Sequence, residues 1–319
     1  MTPPSPQSQK PVALVVGASR GIGRQIAVDL GREGYAVVVA ARTVSDPSKP
    51  IPTAPDPNSS SSTITTVANE ILASGGDATA IQVDVRYPES VENLISQTIS
   101  KYNRLDVLVY NSGAIHWASV PATPLKRFLL MQRVNPEGLY ATVHASLPHL
   151  RASPRPRIIV VSPPIYSRFF RGKTAYAIGK VGMSVLTKGL AMDIDRDDGL
   201  RGRMAITSLW PAVAVESAAT QQFTRRDPRE AEDLRKATVF SDAILAILRA
   251  PAEKVNGELL LDEDFLREYA GITDFSKYNV VPGSNPRRIM PRKLPDLTVA
   301  EQADEGKRVD TSAKDKGKL

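Results

Sequence analysis

The stretch Val12-Ala-Leu-Val-Val-Gly-Ala-Ser-Arg-Gly-Ile-Gly23 decides the fold. Its five leading apolar residues read as a strand covered on both faces. Gly17, Gly21 and Gly23 then punctuate a turn, and the segment Gly23–Gly31 reads as a helix. A strand, a glycine-rich turn and a helix in that order make a phosphate cradle. Gly17 permits the tight turn, Gly21 lets backbone approach a pyrophosphate, and Gly23 brings helix and strand together. Ser19, Arg20 and Ile22 complete the turn and belong to the candidate cofactor site. The same glycines also fit an ordinary strand-to-helix turn.

Further along the chain, short apolar runs alternate with longer amphipathic segments, the pattern of βαβ units. The predicted strands are Val12–Val16, Tyr35–Ala41, Ala80–Val85, Leu105–Tyr110, Ile158–Val161, Met204–Leu209 and Glu258–Leu261. Helices are predicted at Ile64–Ser74, Val91–Tyr102, Pro124–Leu150, Thr174–Ile194 and from about Asp242 to Arg249. The expectation is an α/β fold with a Rossmann-type, doubly wound, seven-stranded parallel sheet, a single domain over residues 11–264. Residues 43–63, rich in Pro and Ser, read as a mobile insertion. Residues 211–236 read as a substrate loop, and 265–299 as a C-terminal extension packed on the domain. Residues 1–10 and 300–319 are expected to be disordered.

Composition narrows the function classes. Hydrophobic residues make up 42% and charged residues 24%, as in ordinary globular proteins. No apolar run approaches the roughly 20 residues that span a bilayer. Cysteine is absent, which excludes disulfides, thiolate nucleophiles and zinc-thiolate sites. The polar, proline-rich start has no signal- or transit-peptide pattern, so a cytoplasmic protein is expected. The terminal Gly317-Lys-Leu, one residue from a Ser-Lys-Leu address, makes the peroxisome the second choice. The net charge of +7 is spread among acidic residues with no nucleic-acid-binding motif, so nucleic acid is not an expected partner. His116, His144 and His149 show no metal-ligand spacing, and no metal is expected.

Tyr176 and Lys180 stand four apart in a predicted helix and so share one face. An ammonium beside a phenol stabilises phenolate, which suits a general acid or base. A surface tyrosine with a solvated lysine has the same spacing. Asn135 precedes Pro136 inside a predicted helix, where a proline frees a backbone carbonyl and bends the axis.

The Gly-x-x-x-Gly-x-Gly turn, Asn111-Ser-Gly-Ala after the fourth strand, Asn135 and Tyr176-x-x-x-Lys180 together resemble the short-chain dehydrogenase/reductase family. The resemblance runs from about Val12 to Asp262. Ser162-Pro-Pro, Leu209-Trp-Pro, the long insertion and the segment Asp262–Gly283 are similar to its hydroxysteroid dehydrogenase-like 2 group. That group's sterol-carrier-type domain is expected to be absent, since too little chain remains for it. The resemblance implies Tyr176 as proton donor or acceptor at a carbonyl or alcohol oxygen, and Lys180 on the nicotinamide ribose. It implies Asn135 as a member of a proton relay, Asp84 and Val85 at the adenine, and Asn111 and Pro211 beside the cofactor. It also implies a homodimer or homotetramer and a small carbonyl or alcohol substrate.

Two departures matter. The serine usual in the family thirteen positions before the tyrosine falls at Pro163, which has no side-chain donor. Ser162 is the expected substitute, with Tyr166 behind it. Where an acidic residue would bind a ribose 2′-hydroxyl, the chain has Ala41-Arg42, with Arg20 in the glycine turn. Two guanidiniums suit a 2′-phosphate, so NADP(H) is the expected cofactor. The expected activity is an NADP(H)-dependent interconversion of secondary alcohol and ketone on a fairly apolar substrate. The alternatives are a cofactor-binding protein without redox turnover, or non-redox chemistry in the same pocket.

Overall fold

The apolar run after Pro11 forms β1 (Val12–Val16), and six more strands join it in one parallel sheet. They are β2 (Ala36–Ala41), β3 (Asp77–Gln82), β4 (Val107–Tyr110), β5 (Arg157–Val161), β6 (Ala205–Trp210) and β7 (Leu259–Leu261). Their order across the sheet is β3-β2-β1-β4-β5-β6-β7, all parallel. The computed structural model describes residues 10–45, 58 and 61–297. The segment before residue 10, most of the proline-rich insertion and the tail from 298 lie outside the described residues.

Between the strands run α1 (Gly21–Arg32), α2 (Ile64–Ala73), α3 (Pro88–Tyr102), α4 (Leu125–Gln132), α5 (Gly138–Arg151) and α6 (Thr174–Arg196). The short α7 (Gln221–Thr224) and α9 (Ala252–Val255) flank α8 (Thr238–Arg249), and α10 (Asp262–Ala270) follows β7. Alternate β1 side chains feed two cores. Ala13 and Val15 pack with Ile26, Val67, Ile244 and Leu266, while Leu14 and Val16 pack with Leu94, Leu139 and Met183. Helices therefore cover both faces, and the central strands can be apolar at every position.

Two predicted elements are corrected. The third strand was expected at Ala80–Val85, but β3 pairs with β2 from Asp77 to Gln82. It is the edge strand, and Asp77 and Thr79 need not be apolar there. Val83 and Val85 keep their burial after the ladder ends, which shifted the apolar signal towards the C-terminus. The helix expected over Pro124–Leu150 is interrupted by a π-turn at Arg133–Glu137.

The strand order reverses at β1, with β2 on one side and β4 on the other. A crevice opens there beyond the C-terminal ends of the strands, where open α/β sheets hold ligands. The two ends of the insertion meet beside it, with the Ile64 N–H bonded to Thr43 O at 3.0 Å. Beyond α10 the chain returns along the β6 side of the crevice. The Ile289 and Met290 N–H groups donate to Ala212 O, and Arg288 forms a two-pronged ion pair with Asp264. Among the described residues no helix is long and apolar enough to cross a membrane.

Candidate active site

The glycine turn leaves no room for side chains. A Cβ on Gly17, whose φ is +89°, would lie 2.6 Å from Ser112 N, and one on Gly23 would lie 2.1 Å from Gly17 O. Asn111, immediately after β4, donates its side-chain amide to Gly17 O at 2.8 Å and so ties the two loops together. Ser62 does the same from the far side of the insertion, its hydroxyl donating to Ser19 O at 2.6 Å. The N-terminus of α1 points its free N–H groups towards this cradle, as anion binding needs. The residues present thus fit a dinucleotide phosphate. Arg20 and Arg42 are both exposed and have no ion-pair partner among the described residues. Asp84 is already engaged: both carboxylate oxygens accept from Arg86, which holds its carboxyl below the usual range. Val85 is buried in the core against α3 and α5.

Tyr176 and Lys180 lie on the buried face of α6, each 3% exposed. The Lys180 ammonium donates to Val161 O at the end of β5 at 2.7 Å and faces the Trp210 ring at 5.6 Å. Burial lowers its pKa to about 7 and raises that of the Tyr176 phenol well above the ordinary value. The expectation that the ammonium would lower the phenol pKa is therefore corrected for the protein alone, because desolvation of the phenol dominates. The Tyr176 ring is walled by Trp117 edge-on at 6.2 Å and by Phe169 at 6.2 Å. Phe223 of α7 stacks on Trp117 at 6.1 Å, and Phe169 meets Trp210 at 5.8 Å. The Tyr176 hydroxyl has no hydrogen-bond partner among the described residues, which leaves it to a ligand.

Asn135 sits inside the π-turn, fully buried. Its oxygen accepts from Ala114 N at 2.8 Å and its amide donates to Ala114 O at 3.1 Å. It therefore fixes the loop after β4, which carries Gly113. A Cβ on Gly113 would come within 3.4 Å of the Lys180 ammonium and 3.6 Å of Asn135 Oδ1, so both groups border one small space.

One contributor escaped the sequence reading. In the π-turn the Gly138 N–H reaches back to Arg133 O, which deprives Val134 O of its usual helical donor. The Tyr110 phenol fills that role at 2.6 Å from the end of β4. Burial raises its pKa, so it stays a neutral donor. Gly138 is required there, because a Cβ would meet the Tyr110 oxygen at 2.6 Å. Tyr110 was legible as the end of the fourth strand, but its partner 24 residues away was not.

Ser162 ends β5 with its hydroxyl in a buried cluster. It is bonded to Ser208 of β6 and accepts from Ser184 of α6 at 3.0 Å. Ser184 also donates to Pro163 O at 2.7 Å. Tyr166 is half-buried in the same aromatic wall as Tyr176, and its ring lies 6.0 Å from Phe169. Its hydroxyl donates only to the thioether of Met290, at 3.2 Å. Pro211 follows β6, and the next residue is clamped from two sides. The Ala212 N–H donates to Asp262 at 2.8 Å, and its carbonyl accepts from Ile289 and Met290. Asp262 is fully buried, and burial raises its pKa to about 7.

A Rossmann sheet, a glycine cradle and a buried Tyr-x-x-x-Lys pair at one strand edge define a dinucleotide-binding scaffold. Residues 11–56 and 57–223 match the short chain dehydrogenase family, and the chain belongs to it. The chain is similar to hydroxysteroid dehydrogenase-like protein 2 of Danio rerio, 36% identical over 272 residues, covering 85% of this chain and 61% of the relative. It thus spans less than two thirds of that relative's length. The fold is similar to a short-chain dehydrogenase from Mycobacterium thermoresistibile, with TM-score 0.75 and 33% identity, covering 88% of this chain and 95% of the other. A protein from Xanthomonas campestris gives TM-score 0.74 and 34% identity, covering 91% of this chain and 98% of the other. The resemblance drawn from the motifs, including the group within the family, is borne out.

Proposed function

We propose that the protein is an NADP(H)-dependent oxidoreductase that interconverts a secondary alcohol and a ketone on a fairly apolar substrate. The observation that carries this is the Tyr176 hydroxyl, unpartnered among the described residues and set in an aromatic wall beside the glycine cradle. The glycine turn with Ser19, Arg20 and Ile22 would hold the phosphates, and Arg42 the 2′-phosphate. Asp84, Val85, Asn111 and Pro211 would flank the rest of the cofactor. Bound there, the nicotinamide supplies or accepts hydride. Tyr176 gives a proton to the substrate oxygen in reduction and takes it back in oxidation. Lys180 holds the ribose from the same helix face as the phenol. Asn135 fixes the loop that borders Lys180 and would belong to a proton relay from the lysine to solvent.

A carbonyl oxygen that becomes an alkoxide benefits from a second donor. The Ser162 hydroxyl, the first candidate, is already shared with Ser208 and Ser184. Tyr166 is held only by a thioether, a weak acceptor that a carbonyl oxygen displaces readily. We therefore assign Tyr166 as that donor. Tyr166→Phe is expected to lower kcat on the order of 10²-fold with NADPH affinity unchanged; a Ser162→Ala loss of that size beside a fully active Tyr166→Phe would return the role to Ser162.

The test of the reading as a whole is turnover. Across a panel of apolar ketones, product should form with one NADPH oxidised per molecule. Cofactor binding without turnover would favour the non-redox alternatives, which Pro163 keeps in play. A homodimer or homotetramer is proposed through α5 and α6, where Tyr140, Ile178, Val185 and Met192 are exposed. The cytoplasm is the proposed compartment.

A further inference from the structure

Resting on the reading of Tyr176 as the reacting group, we propose that this pocket takes an amphipathic anion: an apolar carbonyl compound whose carboxylate or phosphate is held at the rim by Lys173, Arg168 and Arg171. The wall around Tyr176 is aromatic and demands an apolar body. The loop that carries Phe169 and leads into α6 is cationic, with Arg168, Arg171 and Lys173 between Ser167 and Thr174. No Asp or Glu occurs between Glu137 and Asp193, a stretch that contains all of Arg168, Arg171 and Lys173. Several arginines elsewhere do pair with acids, as in Arg24 with Glu70, Arg151 with Asp197, Arg235 with Glu263 and Arg288 with Asp264. Among the described residues none of the three rim cations has such a partner.

Lys173 is the anchor. It precedes α6, is half-buried, and places its ammonium 4.2 Å from the centroid of the Phe169 ring. Phe169 in turn packs on Tyr176, so an anion on Lys173 lies one aromatic ring from the reacting hydroxyl. A half-buried ammonium that faces only a ring has lost hydration without gaining an anion. Burial lowers its pKa accordingly. A ligand carboxylate or phosphate would supply the missing charge through charge-assisted hydrogen bonds. Arg168 already acts electrostatically on the neighbouring Tyr166 phenol. On the opposite wall Arg225 and Arg226 follow Phe223 after Thr224 and are exposed. The cofactor phosphates do not need this rim: Arg20 follows β1 and Arg42 follows β2, on the other side of the sheet's switch point from β5.

Trp117 and Trp210 are the chain's two tryptophans, and both belong to this wall, so intrinsic fluorescence reports on the pocket. The protein, with and without NADP+, is titrated with para-benzoylbenzoate and with its methyl ester. The acid should bind about 10-fold more tightly at low ionic strength, an advantage that shrinks below about 2-fold near 0.5 M salt. The same collapse of the acid-to-ester ratio is expected in Lys173→Gln, and a partial one in Arg168→Gln. Equal dissociation constants for acid and ester in the unmodified protein, or saturable binding of neither, would overturn the proposal. NADPH oxidation with the same pair is read separately. Its absence would overturn the reductase reading, while the fluorescence ratio still decides the anion site.

Discussion

Tyr176→Phe is expected to lower kcat for ketone reduction by about 10³-fold while leaving NADPH affinity within about threefold, since a positioned general acid contributes 10²–10⁴. The substitution removes one oxygen and keeps the ring that packs against Trp117 and Phe169. The hydroxyl has no hydrogen-bond partner among the described residues, so its removal orphans no buried group. Folding should therefore be intact, and a thermal midpoint equal to or above that of the unmodified protein is expected from a phenol that burial makes costly to desolvate. This separates the chemical loss from structural damage. Single-turnover reduction with saturating NADPH is the measurement to make, because product release then cannot hide the step. A variant that keeps more than a tenth of the normal single-turnover rate would remove Tyr176 as the acid. The loss should fall on kcat and on kcat/KM alike, as it does when an interaction exists only in the transition state.

The legibility of this protein followed the range of its interactions. β1, its glycine turn and α1 are contiguous, and the sequence displayed them almost residue for residue. The Tyr176 and Lys180 pair was legible because helical periodicity puts both on one face whatever else surrounds them. The far side of the surrounding wall was not: Met290 meets Tyr166, and no local rule brings a residue of the C-terminal extension there. The π-turn was half legible, since Pro136 signalled a defect, but its stabilisation by Tyr110 depends on a strand end meeting a helix. Ser162 shows the opposite limit. Its place in the sequence suits a substrate contact, yet β6 and α6 supply hydroxyls close enough to share its own. β3 slipped because an edge strand needs no apolar face at its start.

The second large effect concerns the cofactor. Replacing Arg20 and Arg42 together with Ala is expected to raise the NADPH dissociation constant by about 10²-fold and to change that of NADH less than about threefold. The magnitude follows from two charge-assisted hydrogen-bonding groups at about 1.5 kcal/mol each, the low end of their range because both side chains are exposed. Neither side chain supports the fold. Arg20 precedes α1 without a capping bond, and Arg42 takes part through its backbone carbonyl, which accepts from Gln82 at 2.9 Å. Asp84 gives both of its oxygens to Arg86 and feels the charge of Arg42 without bonding it, so the Arg42 guanidinium keeps its donors for a ligand. A phosphate monoester is the one group that distinguishes the two cofactors, so a selective loss of NADPH locates that group at these guanidiniums. Ionic strength supplies an internal check: the NADPH preference of the unmodified protein should shrink as salt rises, since exposed charges are screened within about 8 Å near physiological ionic strength. An unmodified protein that binds NADH as tightly as NADPH would place the 2′-hydroxyl, rather than its phosphate, against Ala41-Arg42, and the cofactor assignment would pass to NAD(H) with Tyr176 and Lys180 unaffected.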